Sequence, residues 1–154
     1  MRHRQSRGGI TMELFEESSI FPAPQSVGER PWGTEDLLAI VPDKFSFKRL
    51  VLNAGRKGGL QFHRRKNEVA VIVSGEMLIR YDLGDGVLRE RIVRAGEVVH
   101  FPPGLVHQEQ AISDCVIFEA STPHFNDRVR MEEKYGLGKP EGLQTTLEEE
   151  IESR

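Results

Sequence analysis

The stretch GLQFHRRKNEVAVIVSGEM, residues 59–77, places Gln61, His63 and Glu68 just ahead of an apolar run that closes on Gly75. On a β-strand, side chains two positions apart share a face, so Gln61 and His63 point the same way. If that face lines the inside of a small barrel, Glu68 opens the next strand pointing inward. Ala70 and Ile72 then continue the lining, while Val69, Val71 and Val73 face away. Three potential metal donors would converge at the head of two strands.

Working outward, the chain from about residue 30 to 120 repeats this grammar. Short runs rich in Val, Ile, Leu and Phe alternate with Gly, Pro and Asp clusters every 8–12 residues, the pattern of an all-β sandwich or barrel. Strands are predicted over residues 36–41, 45–52, 60–63, 68–74, 76–82, 87–93, 98–101, 106–110 and 114–120. The LGDG of residues 83–86 supplies a hairpin, with Gly86 taking a positive φ. In DRVRMEEKYGL, residues 127–137, Val129, Met131 and Tyr135 suggest one short helix ended by Gly136. The tail TTLEEEIESR reads as a frayed, solvated acidic helix. No repeat at solenoid or propeller period is present.

The chain is 154 residues long, enough for one domain with a core. Its apolar runs are too short to span a bilayer, so no membrane partner is expected. Acidic residues number 24 against 21 basic ones, dispersed along the chain, which argues against a nucleic-acid partner. The N-terminal MRHRQSRGG has no apolar segment behind it, as a secretory signal would, and Cys115 is the single cysteine, so a reducing cytoplasm is expected. Cys115 itself reads as core packing. Residues 1–28, with Pro22, Pro24 and Gly28, read as a flexible arm, of which 1–11 could precede a start at Met12.

A second stretch, GEVVHFPPGLVHQEQ (96–110), has a PPG turn followed by a strand carrying His107 and Glu109. Two imidazoles, a carboxylate and an amide oxygen suit a divalent transition metal (Zn, Mn, Fe, Co or Ni) better than a soft thiolate site. Glu109, two residues beyond His107, shares its face and is a candidate general base or substrate anchor; a rim hydrogen bond serves it equally well. Lys57, Arg64, Arg65, Lys66 and Arg80 are basic residues near the motif strands, where a phosphate could be met.

Gly55, Gln61, His63, Glu68 and Gly75, then Gly96, Pro102, Gly104 and His107, resemble the paired motifs of the cupin superfamily in kind and spacing. The resemblance implies a single β-jelly-roll barrel. It also implies one divalent metal held by Gln61, His63, Glu68 and His107. Gln61 stands where the superfamily usually has His, and Ala111 where it usually has Asn. With the Gln, the flanking RPWG (31–34), VSGE (73–76) and DRVRMEEKYG (127–136) resemble the cupin domain of type II mannose-6-phosphate (phosphomannose) isomerases, over roughly residues 29–136. Residues 137–154 would be a tail.

That resemblance implies an aldose–ketose isomerase acting on a sugar or sugar phosphate, with Lys66, Arg64 and Arg80 as substrate-binding cations, and a homodimer. Arg64 and Arg65 replace the family's His-rich segment, and Gln108 replaces an Arg, so the substrate can differ. An iron-dependent dioxygenase and a non-catalytic sugar- or ligand-binding cupin are the alternatives. Trp32, in RPWG, is expected in core or interface packing.

Overall fold

A computed structural model describes residues 23–125 and 127–138. The acidic tail and most of the predicted N-terminal arm lie outside them. Alternating apolar and polar residues produce strands throughout: β1 (Gln25–Arg30), β2 (Gly33–Val41), β3 (Phe45–Leu52), β4 (Gln61–His63), β5 (Glu68–Ser74), β6 (Glu76–Asp82), β7 (Leu88–Arg94), β8 (Val98–Phe101), β9 (Val106–Ala111), β10 (Cys115–Ser121) and β11 (Arg128–Arg130). They form two antiparallel sheets, ordered β1-β2-β3-β10-β5-β8 and β11-β4-β9-β6-β7. This is the all-β jelly-roll barrel expected from the sequence.

The core lies between the sheets. From the first come Leu52, Ile72, Cys115 and Ile117, from the second Met77, Val93 and Ala111, all 3% exposed or less. Along β5 the parity expected from the sequence holds: Glu68, Ala70 and Ile72 are buried, Val69 and Val73 exposed. Cys115 is a free, buried thiol whose Sγ donates to the carbonyl of Glu76. Trp32 packs half-buried against the core cluster. No helix among the described residues is long and apolar enough to cross a membrane.

Two segments differ from expectation. Part of the presumed arm is β1, an edge strand paired to β2, with a register shift between Ser26 and Gly28. Gly28, at φ 115°, belongs to that irregularity. The helix expected across 127–137 is instead strand β11 followed by a single 3-10 turn, Glu133–Tyr135, which ends at Gly136 with φ 66°. Val129 and Met131 are two apart, which is the strand period, and β4 offers an edge on which Arg128, Val129 and Arg130 pair with His63, Phe62 and Gln61. Tertiary pairing outweighs a weak helical preference here. The Tyr135 hydroxyl then donates to Asp82, whose carboxylate also accepts the backbone N–H groups of Gly84, Asp85 and Gly86, so the 83–86 hairpin and the 3-10 turn share one anchor.

Gly75 joins β5 to β6 at φ 89°, and a Cβ there would sit 2.2 Å from the Asp114 carbonyl oxygen and 2.8 Å from Cys115 Sγ. Gly75→Ala therefore combines left-handed strain with a backbone clash and is expected to cost on the order of 3 kcal/mol, read from urea unfolding. A change below about 0.5 kcal/mol would contradict this account of the turn.

Candidate metal centre

Strand β4 is only three residues long, yet it lies between β11 and β9 and sets the geometry of the site. Gln61 pairs across the sheet with His107 on one side and with Arg130 on the other. His63 pairs with Arg128. Glu68 reaches the same space from β5, on the opposite sheet. One ligand atom each from His63, Glu68 and His107 lies within 4.8 Å of the others, and all three residues are buried. The Glu68 Oε2 atom is 3.5 Å from His63 Nε2 and 3.8 Å from His107 Nε2.

Both rings are fit for ligation. His107 Nδ1 lies 2.9 Å from the Leu105 carbonyl oxygen, an acceptor, so this nitrogen carries the proton and Nε2 keeps its lone pair. Phe101 stacks on the ring at 4.1 Å between centroids and fixes its plane. Burial pushes the His63 pKa down to about 3, with Lys66, His107 and Arg128 adding to the effect. Burial also lowers that of His107, against the pull of Glu68. Neutral imidazoles facing a carboxylate are what a divalent ion requires. His63 differs from His107 in one respect: its Nε2 faces Glu68, but its Nδ1 is buried with no hydrogen-bond partner among the described residues.

Lys66 is buried beside this group. Its ammonium contacts Glu68 Oε1 and lies 3.2 Å from Glu119 Oε1. Burial disfavours that charge, but Glu119 and Glu68 overcome the penalty and raise its pKa above the ordinary lysine value. Lys66 thus holds one oxygen of Glu68 and leaves the other facing the imidazoles. The loop that carries it is clamped by Asp127 Oδ2, which accepts the backbone N–H groups of Arg65 and Lys66, each at 2.7 Å.

These groups line a cavity of about 70 Å³, room for an ion with a few waters or for the end of a small polar ligand. Gln61, Glu109, Glu119, Trp32, Leu50, Arg30, Arg128 and Arg130 also line it. Gln61 Oε1 accepts a hydrogen bond from Arg130 Nη1 at 2.9 Å. Burial, then Glu119 and Glu68, push the Glu109 carboxyl up to about 8. Of the cations expected to meet substrate, Lys66 lines the cavity. Arg64 is exposed, and Arg80 on β6 is engaged with Glu90 at 2.8 Å and with Gln108 and Gln110 at 3.2 and 2.8 Å; neither lines it.

Sequence reasoning did not find Glu119, Arg30, Arg128 or Arg130. For Glu119 the signal was present: in CVIFEAS it shares parity with Cys115, Ile117 and Ser121, so a carboxylate sits on an inward position. Arg128 and Arg130 were hidden by the helical reading of their segment.

Residues 48–118 match the family model for the Cupin domain. Among solved structures, the chain is similar to the capsular polysaccharide assembling protein CapF of Staphylococcus aureus, at 23% identity and a TM-score of 0.61 over 72% of this chain and 34% of that one. It thus spans about a third of the length of CapF. KdgF from Halomonas sp. aligns at 17% identity and a TM-score of 0.56, covering 75% of this chain and 96% of that one. Lactobacillus farciminis oxalate decarboxylase aligns at 15% identity and a TM-score of 0.60, covering 72% and 34%. No curated protein matches the chain in sequence. At these identities the likenesses bear on fold alone. The two-sheet jelly roll around the buried imidazoles agrees with the match across residues 48–118, and the chain has the cupin β-barrel fold.

Proposed function

We propose that His63, Glu68 and His107 hold one divalent transition metal, with Gln61 as fourth ligand, and that the protein is an aldose–ketose isomerase for a sugar or sugar phosphate, of the kind that mannose-6-phosphate isomerase represents. The observation that carries the reading is Glu109: a carboxyl in the same cavity as the donor triad, but outside it. Isomerisation needs such a group, placed to move a proton between neighbouring carbons. A bound ion would polarise the carbonyl and adjacent hydroxyl oxygens of the substrate. Lys66 orients Glu68, Trp32 and Leu50 supply an apolar wall that limits water, and Gln61 has a second lone pair beyond the one Arg130 engages. The lone, buried Cys115 suits a cytoplasmic setting.

The engagement of Gln61 with Arg130 also supports a second reading. Without Gln61, two His and one carboxylate remain, the set that leaves positions open for dioxygen in iron oxygenases. A pocket that only binds a sugar is the third.

The outer face of β10, β5 and β8 supports a homodimer. Val69, Val73 and Val98 are 43%, 49% and 62% exposed there. Val69 and Ala120 are paired across β5 and β10, as are Val71 and Val98 across β5 and β8, so the apolar side chains form one patch. An exposed apolar patch of this kind is what two copies would cover by pairing about a two-fold axis.

Protein purified without chelator or nickel resin is expected to carry near one transition metal per chain by elemental mass spectrometry, and His63→Ala to lose it. Full metal in that variant would remove His63 from the ligand set. Glu109→Gln should keep the ion and lower isomerase turnover by roughly 10²–10⁴; oxygen uptake by the iron form, with no isomerisation, would select the oxygenase reading instead. Val69→Lys with Val98→Lys should convert a dimer to a monomer in light scattering while leaving metal content unchanged, and an unaltered mass would place the contact elsewhere.

A further inference from the structure

Counted over its lining side chains alone, the cavity is left positive once an ion is in place. Four cationic side chains line it, Arg30, Lys66, Arg128 and Arg130, against four carboxylates, Glu35, Glu68, Glu109 and Glu119. Even with every carboxylate ionised, a divalent ion leaves two positive charges in excess. Most cations have their partners: Arg30 Nε is 3.1 Å from Glu35, and Lys66 is engaged with Glu68 and Glu119. Arg128 is different. Its Nε is buried and, among the described residues, meets no hydrogen-bond partner. A buried guanidinium N–H left unsatisfied costs on the order of 1–3 kcal/mol, so a position of this kind calls for an acceptor.

The register says where that acceptor would sit. On β11, Arg128 and Arg130 are two residues apart, and they pair with His63 and Gln61. Side chains paired in this way stand neighbour to neighbour on one face. Both guanidinium groups therefore flank the donor set, on the side away from β9. Glycine at position 59 leaves room for one of them: a Cβ there would sit 1.7 Å from Arg130 Nη1. Two like charges are held together, facing a cavity, with a backbone notch cut for one of them.

We infer that Arg128 and Arg130 form a subsite for the anionic end of the ligand, a phosphate or carboxylate group whose remainder reaches toward His63, Glu68 and His107. Guanidinium groups suit this role because their planar N–H pairs match two oxygens of either group. The site assigns the anion to β11 rather than to Arg64 and Arg80, which do not line the cavity. The inference deepens the sugar-phosphate reading but requires neither turnover nor a particular metal.

The test is calorimetric titration of inorganic phosphate and, separately, of acetate into the full chain, both metal-loaded and after chelation. Wild type is expected to bind one of the two anions, more tightly when the metal is present. Arg128→Met should weaken that binding at least tenfold with metal content unchanged; Arg128→Lys, which keeps the charge but loses the paired N–H geometry, should fall between. Arg80→Met should bind as wild type does. Phosphate held at least tenfold tighter than acetate identifies a phosphorylated ligand, and the reverse order a carboxylate; either supports the subsite. Metal-loaded wild type that binds neither anion, or folded Arg128→Met and Arg128→Lys that bind like wild type, would overturn it. Anion binding that depends on Arg128 but comes without isomerase activity would keep the subsite and remove the isomerase reading; isomerase activity with intact anion binding in both variants would do the opposite.

Discussion

The Glu68 carboxylate is where the two sheets meet chemically. One oxygen is held by the Lys66 ammonium and the other faces two imidazoles carried by the opposite sheet. A carboxylate removed from water survives as an ion only when it is paired and hydrogen-bonded. Here the pairing draws in a loop, a second carboxylate at Glu119 and, through the backbone clamp on Asp127, the chain leading into β11. The apolar core holds the barrel together, and this polar end decides how the strands around the cavity must be registered. A buried ion pair of this kind is weak evidence for stability, but it tolerates few alternative arrangements.

That constraint explains what could be read from the sequence. Strand parity is a local property, so Gln61 and His63 could be put on one face from spacing, while the set of Gln61, His63, Glu68 and His107 rested on the resemblance of the two motifs. Glu109 followed from His107 by the same rule, and the structure places it on the cavity wall. The turn glycines were legible too, since Gly75, Gly86, Gly96 and Gly104 all take positive φ. Which cations face the cavity was not legible. Whether Arg64, Arg80 or Lys66 turns inward depends on loop closure and on partners distant in sequence, such as Glu119, more than 50 positions beyond Lys66.

The segment 127–137 shows the limit most plainly. Its short pattern is compatible with a helix or a strand, and only the open edge of β4 decides between them. With β11 formed, Arg128 and Arg130 enter the cavity and Gln61 gains a guanidinium neighbour, so an error in one short element conceals a whole wall of the site. The N-terminal edge was obscured for a similar reason. Beside Pro22 and Pro24, Gly28 reads as a loop residue, whereas it belongs to an irregular strand.

That irregularity affects how molecules of this protein can meet. An edge strand with a regular ladder is a template on which another chain can pair, and uncontrolled pairing leads to aggregation. At β1 the ladder breaks between Ser26 and Gly28, and Glu29 next to the break is exposed. A neighbouring strand would find mismatched donors and acceptors, together with a charge to desolvate. The first sheet therefore resists growth at this edge.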